Sequence, residues 1–92
     1  SVNHAGDYIR GKISSWNLPI VKDVRGKGLM IGTQIDSKIK PFDIEVRCLE
    51  KGLCTTTAGS DVVRFLPPLV ISDKAIDEGL AIYKSVLEEF CK

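Results

Sequence analysis

The stretch Val62-Val63-Arg64-Phe65-Leu66-Pro67-Pro68-Leu69-Val70-Ile71 is nearly all apolar, yet it contains one arginine. Its first five residues are rich in β-branched and aromatic side chains, and they predict a β-strand. Side chains alternate across a strand, so Val63 and Phe65 should face one side of the sheet and Arg64 the other. The two prolines that follow lack an N–H donor and should end the ladder.

Arg64 is the residue in this stretch that could carry a function. A guanidinium held among apolar neighbours needs an anionic partner, and its planar fork matches a carboxylate. The simpler alternative is an arginine at a strand end, either in water or paired with a nearby Asp or Glu. The residues alone leave both interpretations open.

The rest of the chain predicts two more strands and three helices around this stretch. Leu53–Thr57 is predicted to be a strand antiparallel to the Arg64 strand, joined to it through a turn over residues 58–61. A further strand is predicted from Leu29 to Ile35, where apolar and polar residues alternate. Helices are predicted from Asn3 to Asn17, from Pro41 to Lys51, and after Ser72.

The predicted order is therefore α-β-α-β-β-α in one domain over residues 1–92. This order indicates an α+β fold with a small three-stranded sheet and helices packed on one face. In the second helix, Phe42, Val46 and Leu49, joined by Ile44 and Cys48, are predicted to form the buried face.

The last helix has the clearest boundary signals. Ser72 is a good N-cap, and Asp73 lies in the first turn, where the helix dipole favours a negative charge. Ile71 and Ile76 are placed to form a hydrophobic staple.

The glycines at positions 26, 28 and 32 do not predict a nucleotide-binding loop. Ile31 stands where the dinucleotide fingerprint requires a small residue, and the loop leads into a strand rather than a helix. We expect Gly26 and Gly28 to form a turn or bulge, and Gly32 to admit a close neighbour in the sheet.

Composition narrows the possible functions further. The net charge of +1 and the mixed charges give no sign of nucleic-acid or membrane binding. The N-terminus has no basic region followed by an apolar core, so we expect no signal peptide. The sequence does not begin with methionine, which indicates a fragment. Three scattered cysteines predict no disulfide framework and fit a reducing cytoplasm, with the thiols as small buried groups.

Catalytic and metal-ligating residues are not evident in the sequence. His4 is the only histidine, so neither a hydrolase triad nor a metal-site spacing can be assembled. Lys27 and Lys51 are the candidates for a covalent lysine, but both lie beside glycines in predicted turns and should be solvated.

Five blocks together resemble one known family. They are residues 24–32 (VRGKGLMIG), 48–53 (CLEKGL), 57–59 (TAG), 62–71 (VVRFLPPLVI) and 76–80 (IDEGL). In order and spacing they are similar to the C-terminal part of class III, pyridoxal-phosphate-dependent aminotransferases. The resemblance covers essentially the whole chain.

The resemblance implies that this chain is the small C-terminal domain of a fold-type-I enzyme. The arginine of that family that matches Arg64 binds the substrate carboxylate or pairs with a glutamate of the large domain.

The resemblance also implies pyridoxal phosphate as the cofactor, bound mainly by a large domain that has no counterpart in this chain. It further implies that the parent enzyme is a homodimer. It also implies N-acetylornithine and 2-oxoglutarate as substrates, with ornithine, succinylornithine and 4-aminobutyrate left open as amino donors. The chain alone would then be inactive. The alternative is a free-standing carboxylate-binding or structural module.

Overall fold

The computed structural model describes residues 2–27, 30–66 and 72–91 of the chain. Single helices alternate with pairs of strands, in the order α-β-β-α-β-β-α. The elements are α1 (Val2–Ser15), β1 (Val21–Lys27), β2 (Met30–Ile35), α2 (Pro41–Glu50), β3 (Thr55–Thr57), β4 (Val62–Phe65) and α3 (Asp73–Glu89).

The four strands form one sheet in the order β1-β2-β4-β3, and every neighbouring pair is antiparallel. The predicted pairing of the strand before the turn with the Arg64 strand is confirmed. The α+β class and the packing of helices on one face are confirmed as well.

The sequence predicts three strands, and the structure adds β1 as a fourth. The alternation that marks a strand is hidden in β1 by a register shift between Val21 and Asp23. Val21 pairs with Ile35 and Val24 with Thr33, so two valines three residues apart lie on the same side of the sheet. A bulge of this kind breaks the period-two pattern on which strand prediction depends.

The helix-covered face of the sheet forms the core. Ile31, Thr33 and Ile35 of β2 are buried, and so are Val63 and Phe65 of β4, as the alternation predicts. The helices contribute the remaining large buried side chains: Ile9, Ile13, Ile44, Ile76, Tyr83, Val86 and Leu87.

Tyr83 of α3 lies at the centre of this core. Its ring centroid is 5.4 Å from that of Phe65 on β4 and 6.2 Å from that of Trp16, the residue that follows α1. Aromatic contacts of this kind join both helices to the sheet. The placement of Trp16 against the core agrees with the amphipathic pattern of the first helix.

The second helix buries a different face from the one predicted. Ile44 and Cys48 are fully buried, but Phe42, Val46 and Leu49 are 61%, 41% and 64% exposed. These two groups lie on opposite sides of a helix with 3.6 residues per turn, so only one can face the sheet. The apolar composition of α2 does not say which side that is, because both sides carry apolar residues.

The start of α3 agrees with its sequence signals. Ser72 is the N-cap, and its hydroxyl oxygen accepts a hydrogen bond from the Ala75 amide at 3.2 Å. Asp73 lies in the first turn, as expected. The proposed staple cannot be compared with the structure, because Ile71 lies outside the described residues.

Charged groups join the ends of α2 and α3. Glu89 accepts a hydrogen bond from Arg47 Nε at 2.8 Å, and Lys51 Nζ lies 3.6 Å from the same carboxylate. The hydrogen bond from Arg47 is the main reason that the pKa of Glu89 lies below its ordinary value. Lys51 also donates to the Ser85 hydroxyl at 2.6 Å, so its amine is held by polar partners on the helical side.

The two faces of α2 give a direct test of the packing. Ile44→Ala should lower the free energy of unfolding by about 2–4 kcal/mol, because it leaves a cavity in the core. Leu49→Ala, the matched change on the exposed face, should alter it by less than about 0.5 kcal/mol. Urea unfolding followed by circular dichroism measures both, and equal losses would contradict the packing described for α2.

Candidate functional site

Arg64 lies on the side of the sheet that the helices leave open. Its neighbours in β4, Val63 and Phe65, are fully buried on the opposite side, which confirms the alternation predicted from the sequence. The Arg64 side chain is exposed, and within residues 2–27, 30–66 and 72–91 its guanidinium has no hydrogen bond or ion pair. It therefore has its full set of donors available to a ligand.

A second arginine lies on the same open face. In the sheet register, Gly32 of β2 pairs with Arg25 of β1 on one side and with Arg64 of β4 on the other. Thr56 of β3 continues the row beyond Arg64. The two arginines lie on strands that are two interstrand distances apart, so their Cα atoms are separated by about 10 Å. The sequence did not single out Arg25, because its placement depends on β1 being a strand.

A cleft of about 430 Å³ lies between the two arginines. Gly32 forms its floor, between the two arginines in the sheet register, and a Cβ at that position would be only 3.1 Å from Val62 Cγ1 and 3.9 Å from Arg25 Cγ. This confirms that Gly32 admits a close neighbour. The lining residues combine two cationic side chains with apolar or small ones: Arg25, Gly26, Met30, Gly32, Ala58, Val62 and Arg64.

Polar contacts along the open face hold Arg25 in place. Its Nη2 donates to Gln34 Oε1 at 2.6 Å, and its Nε lies 3.4 Å from a carboxylate oxygen of Asp23. The Gln34 amide in turn donates to the Asp61 carboxylate at 2.9 Å. A guanidinium has five N–H donors, so this arrangement leaves donors of Arg25 unused.

The arrangement of charge in this cleft suits carboxylates. Planar guanidinium forks bind carboxylates through paired, charge-assisted hydrogen bonds. Arg64 has no counter-ion among the described residues, and Arg25 shares its charge only with the half-exposed Asp23. Both arginines can therefore accept an anionic ligand from the open side without burial of an unpaired charge.

Pyridoxal phosphate, which the resemblance implies, does not fit these residues. It requires a lysine for covalent attachment and an acidic or basic partner at its ring nitrogen. The described lining contains no lysine and no carboxylate, and Lys51 lies on the helical side, bound to Glu89 and Ser85. The side chain of Lys27 lies outside the described part.

The described residues also lack the features of other reactive sites. No group of His, Cys, Asp and Glu among them could hold a metal ion, and no described helix is long and apolar enough to cross a membrane.

All three cysteines are free. Burial raises the pKa of the Cys48 thiol to about 11, which keeps it neutral and inert. The prediction that the cysteines are buried is confirmed for Cys48, but Cys91 is only half-buried and Cys54 is exposed, just before the short β3.

Comparisons with known proteins agree on one family. The family model described as "Aminotransferase class-III" matches residues 1–87. The acetylornithine aminotransferase of Listeria monocytogenes is 41% identical over 90 residues, which cover 95% of this chain and 22% of that protein.

Two solved structures have the same fold over nearly the whole chain. The N-acetylornithine aminotransferase of Stenotrophomonas maltophilia superposes with a TM-score of 0.84 at 30% identity, covering 97% of this chain and 26% of that one. The ornithine δ-aminotransferase of Plasmodium falciparum gives a TM-score of 0.89 at 26% identity, covering 99% and 24%. This chain thus spans less than a quarter of the length of the curated relatives it matches.

The position of Arg25 depends on Gly26, the residue that follows it in β1 and pairs with Ile31 of β2. Gly26 has φ +141°, and a Cβ there would collide with the Met30 carbonyl. Gly26→Ala should therefore lower the free energy of unfolding by about 2 kcal/mol or more. Gly11, exposed in α1 with open space around it, is the matched control. Gly11→Ala should raise stability by about 0.5–1 kcal/mol, and thermal unfolding of both variants tests the contrast.

Proposed function

Because this chain belongs to the class-III aminotransferase family, we propose that it is the small C-terminal domain of a pyridoxal-phosphate-dependent aminotransferase. In this proposal the cofactor and its lysine belong to a large domain elsewhere in the parent polypeptide. The short share of the relatives' length that this chain spans supports this view. So does the absence of a fitting lysine from the described lining of the cleft.

The observation that carries the proposal is the guanidinium of Arg64, which lies on the open face of the sheet with no hydrogen bond or ion pair among the described residues. It lies in a strand whose opposite side is anchored in the core by Val63 and Phe65, so the backbone that carries it is rigid. A rigid arginine with free donors can orient a carboxylate without first breaking an internal ion pair. Arg64 would bind the substrate carboxylate or, between substrates, pair with a glutamate of the large domain.

The role of Arg64 in the parent is therefore to bind and orient. A carboxylate held by the guanidinium fork places the rest of the substrate at a fixed position over the sheet face. The same contact compensates the negative charge of the bound carboxylate. No proton transfer is required of Arg64 in this role.

N-acetylornithine is the proposed amino donor and 2-oxoglutarate the proposed acceptor. The proposed parent is a cytoplasmic homodimer that acts in arginine biosynthesis. The support is the identity of about 40% with relatives named for acetylornithine. In the purified parent enzyme, kcat/KM should be higher for N-acetylornithine than for ornithine, succinylornithine or 4-aminobutyrate. A higher value for any of these three would replace the proposed donor and leave the family unchanged.

Replacement of Arg64 tests its role in the parent enzyme. Arg64→Ala should reduce kcat/KM by the equivalent of about 2–4 kcal/mol, the cost of losing a charged contact with the substrate. The melting temperature should hardly change, because the side chain is exposed and makes no contact with charged groups in the described chain.

Lys84→Ala is the matched control for that experiment. Lys84 is an exposed cation on α3, on the helical side of the sheet and away from the cleft. Its removal changes the net charge equally and should leave kcat/KM unaltered. A large loss of stability in Arg64→Ala with unchanged kinetics would assign Arg64 to the scaffold.

A further inference from the structure

We propose that the exposed apolar face of α2 is a docking surface for a basic segment of the large domain in the same parent polypeptide. Phe42, Val46 and Leu49 form this surface, which we call the α2 stripe. The inference rests on the proposed function, because it requires a longer parent. It adds an interaction surface on the helical side of the sheet, away from the cleft.

The first support is the clustering of exposed apolar side chains on one helix. Five large apolar side chains are exposed in the described part of the chain, and three of them form the α2 stripe. They follow one another at intervals of four and three residues, so they lie side by side on one helix face. A continuous apolar surface of this kind marks an interaction site, whereas apolar residues scattered singly need no partner.

The second support is that the stripe does not serve the fold of this chain. Ile44 and Cys48 anchor the opposite face of α2 in the core. Among the described residues, neither the core cluster nor the side chains packed against it include any member of the stripe. Phe42 and Val46 are also poorer helix formers than Ala or the long charged residues. Neither core packing nor helix propensity therefore accounts for the stripe.

The third support is the negative charge that borders the stripe. Asp43, Glu45 and Glu50 each lie three or four residues from a member of the stripe, so they are its neighbours on the helix surface. Asp43 and Glu45 make no ion pair within the part of the chain that the structure describes. Arg47, the only cation in α2, lies 2.8 Å from Glu89 and 3.8 Å from Glu50, so two carboxylates share its charge.

These charges determine which occupant fits the stripe. Glu45 lies on one side of it, and Asp43 and Glu50 lie on the other. A second copy of α2 would therefore bring acidic residues against acidic residues whichever way the two helices run, which is unfavourable. A segment that presents apolar side chains flanked by Lys or Arg complements both the stripe and its border.

The source of that segment follows from the length of the parent. This chain spans less than a quarter of the length of the curated relatives it matches. A segment on the same polypeptide has a high effective concentration at the stripe, because covalent connection makes its binding intramolecular. We therefore assign the occupant to the large domain and not to a separate protein.

Val46→Cys in the parent holoenzyme tests whether the stripe is covered. Val46 is 41% exposed, so the described residues alone would leave a thiol there open to N-ethylmaleimide. Its labelling should be slower in the native enzyme than in urea by about tenfold or more. Residues 39–47 contain no native cysteine, so peptide mass spectrometry reads the introduced thiol alone. Glu78→Cys, at an exposed position of α3, is the control and should be labelled within about threefold of its rate in urea.

Charge reversal tests the basic character of the occupant. Combined with Val46→Cys, Glu45→Lys should bring labelling of the thiol to within about threefold of its rate in urea, because it repels a basic segment. Glu45→Gln, which removes the charge without reversing it, should give an intermediate rate. Glu78→Lys makes the same reversal away from the stripe and should leave the protection of the thiol unchanged.

Photochemical cross-linking tests the source of the occupant. Phe42 is replaced by p-benzoylphenylalanine, whose excited ketone takes a hydrogen atom from a nearby C–H group. The two carbon radicals then join in a new C–C bond. The product should keep the mass of one subunit in a denaturing gel, and its cross-linked peptide should lie outside residues 1–92 and contain Lys or Arg.

Each contrary outcome overturns the docking surface. Labelling of Val46→Cys within about threefold of its rate in urea shows a stripe open to solvent. Protection that Glu45→Lys leaves unchanged excludes a basic occupant. A cross-linked product of two subunits, or one with another protein, excludes the large domain of the same polypeptide as the source.

These outcomes are separate from a failure of the proposed function. If the stripe is open but Arg64→Ala lowers kcat/KM, the proposed function stands and only the docking surface fails. If Arg64→Ala leaves the kinetics unchanged, the role of Arg64 fails while labelling still decides the state of the stripe. A native polypeptide of 10.1 kDa, the mass of this chain alone, would overturn both proposals.

Discussion

The pleat of β2 is the constraint on which the rest of the structure depends. Ile31, Thr33 and Ile35 point into the core, so Gly32 and Gln34 must point to the open face. Because β2 lies between β1 and β4, the register of both neighbours follows this alternation. A slip by one residue would place the isoleucines in water, and the burial of these side chains therefore fixes every cross-strand pair on the open side.

This one-sided core separates the residues that stabilise the fold from those that line the cleft. The helices and the buried sides of the strands supply the packing, with Tyr83 in contact with both Phe65 and Trp16. The open face carries the cleft and both arginines, and its residues contribute little to the core. Replacement of the exposed side chains of Arg25 and Arg64 should therefore leave the fold intact, which is the usual condition for a site placed on a rigid scaffold.

Much of the fold was predictable because its signals are local. Alternation in β4, the Ser72 cap of α3, the β3–β4 pairing and the amphipathic pattern of α1 each depend on residues that are close in sequence. β1 escaped prediction because its bulge puts Val21 and Val24 on one side of the sheet and removes the expected alternation. The buried face of α2 was mistaken because apolar residues occur on both of its sides, and only the sheet selects Ile44 and Cys48.

The sequence by itself determined the family, the one-sided α+β layer and the side of its strand on which Arg64 lies, because these follow from motif order, side-chain periodicity and backbone chemistry. The tertiary structure alone decided that Arg25 shares a cleft with Arg64 and that Gly32 forms its floor. These residues lie far apart in the chain and meet only through strand pairing. Pairing register is a property of the whole buried face, and no single segment contains enough information to specify it.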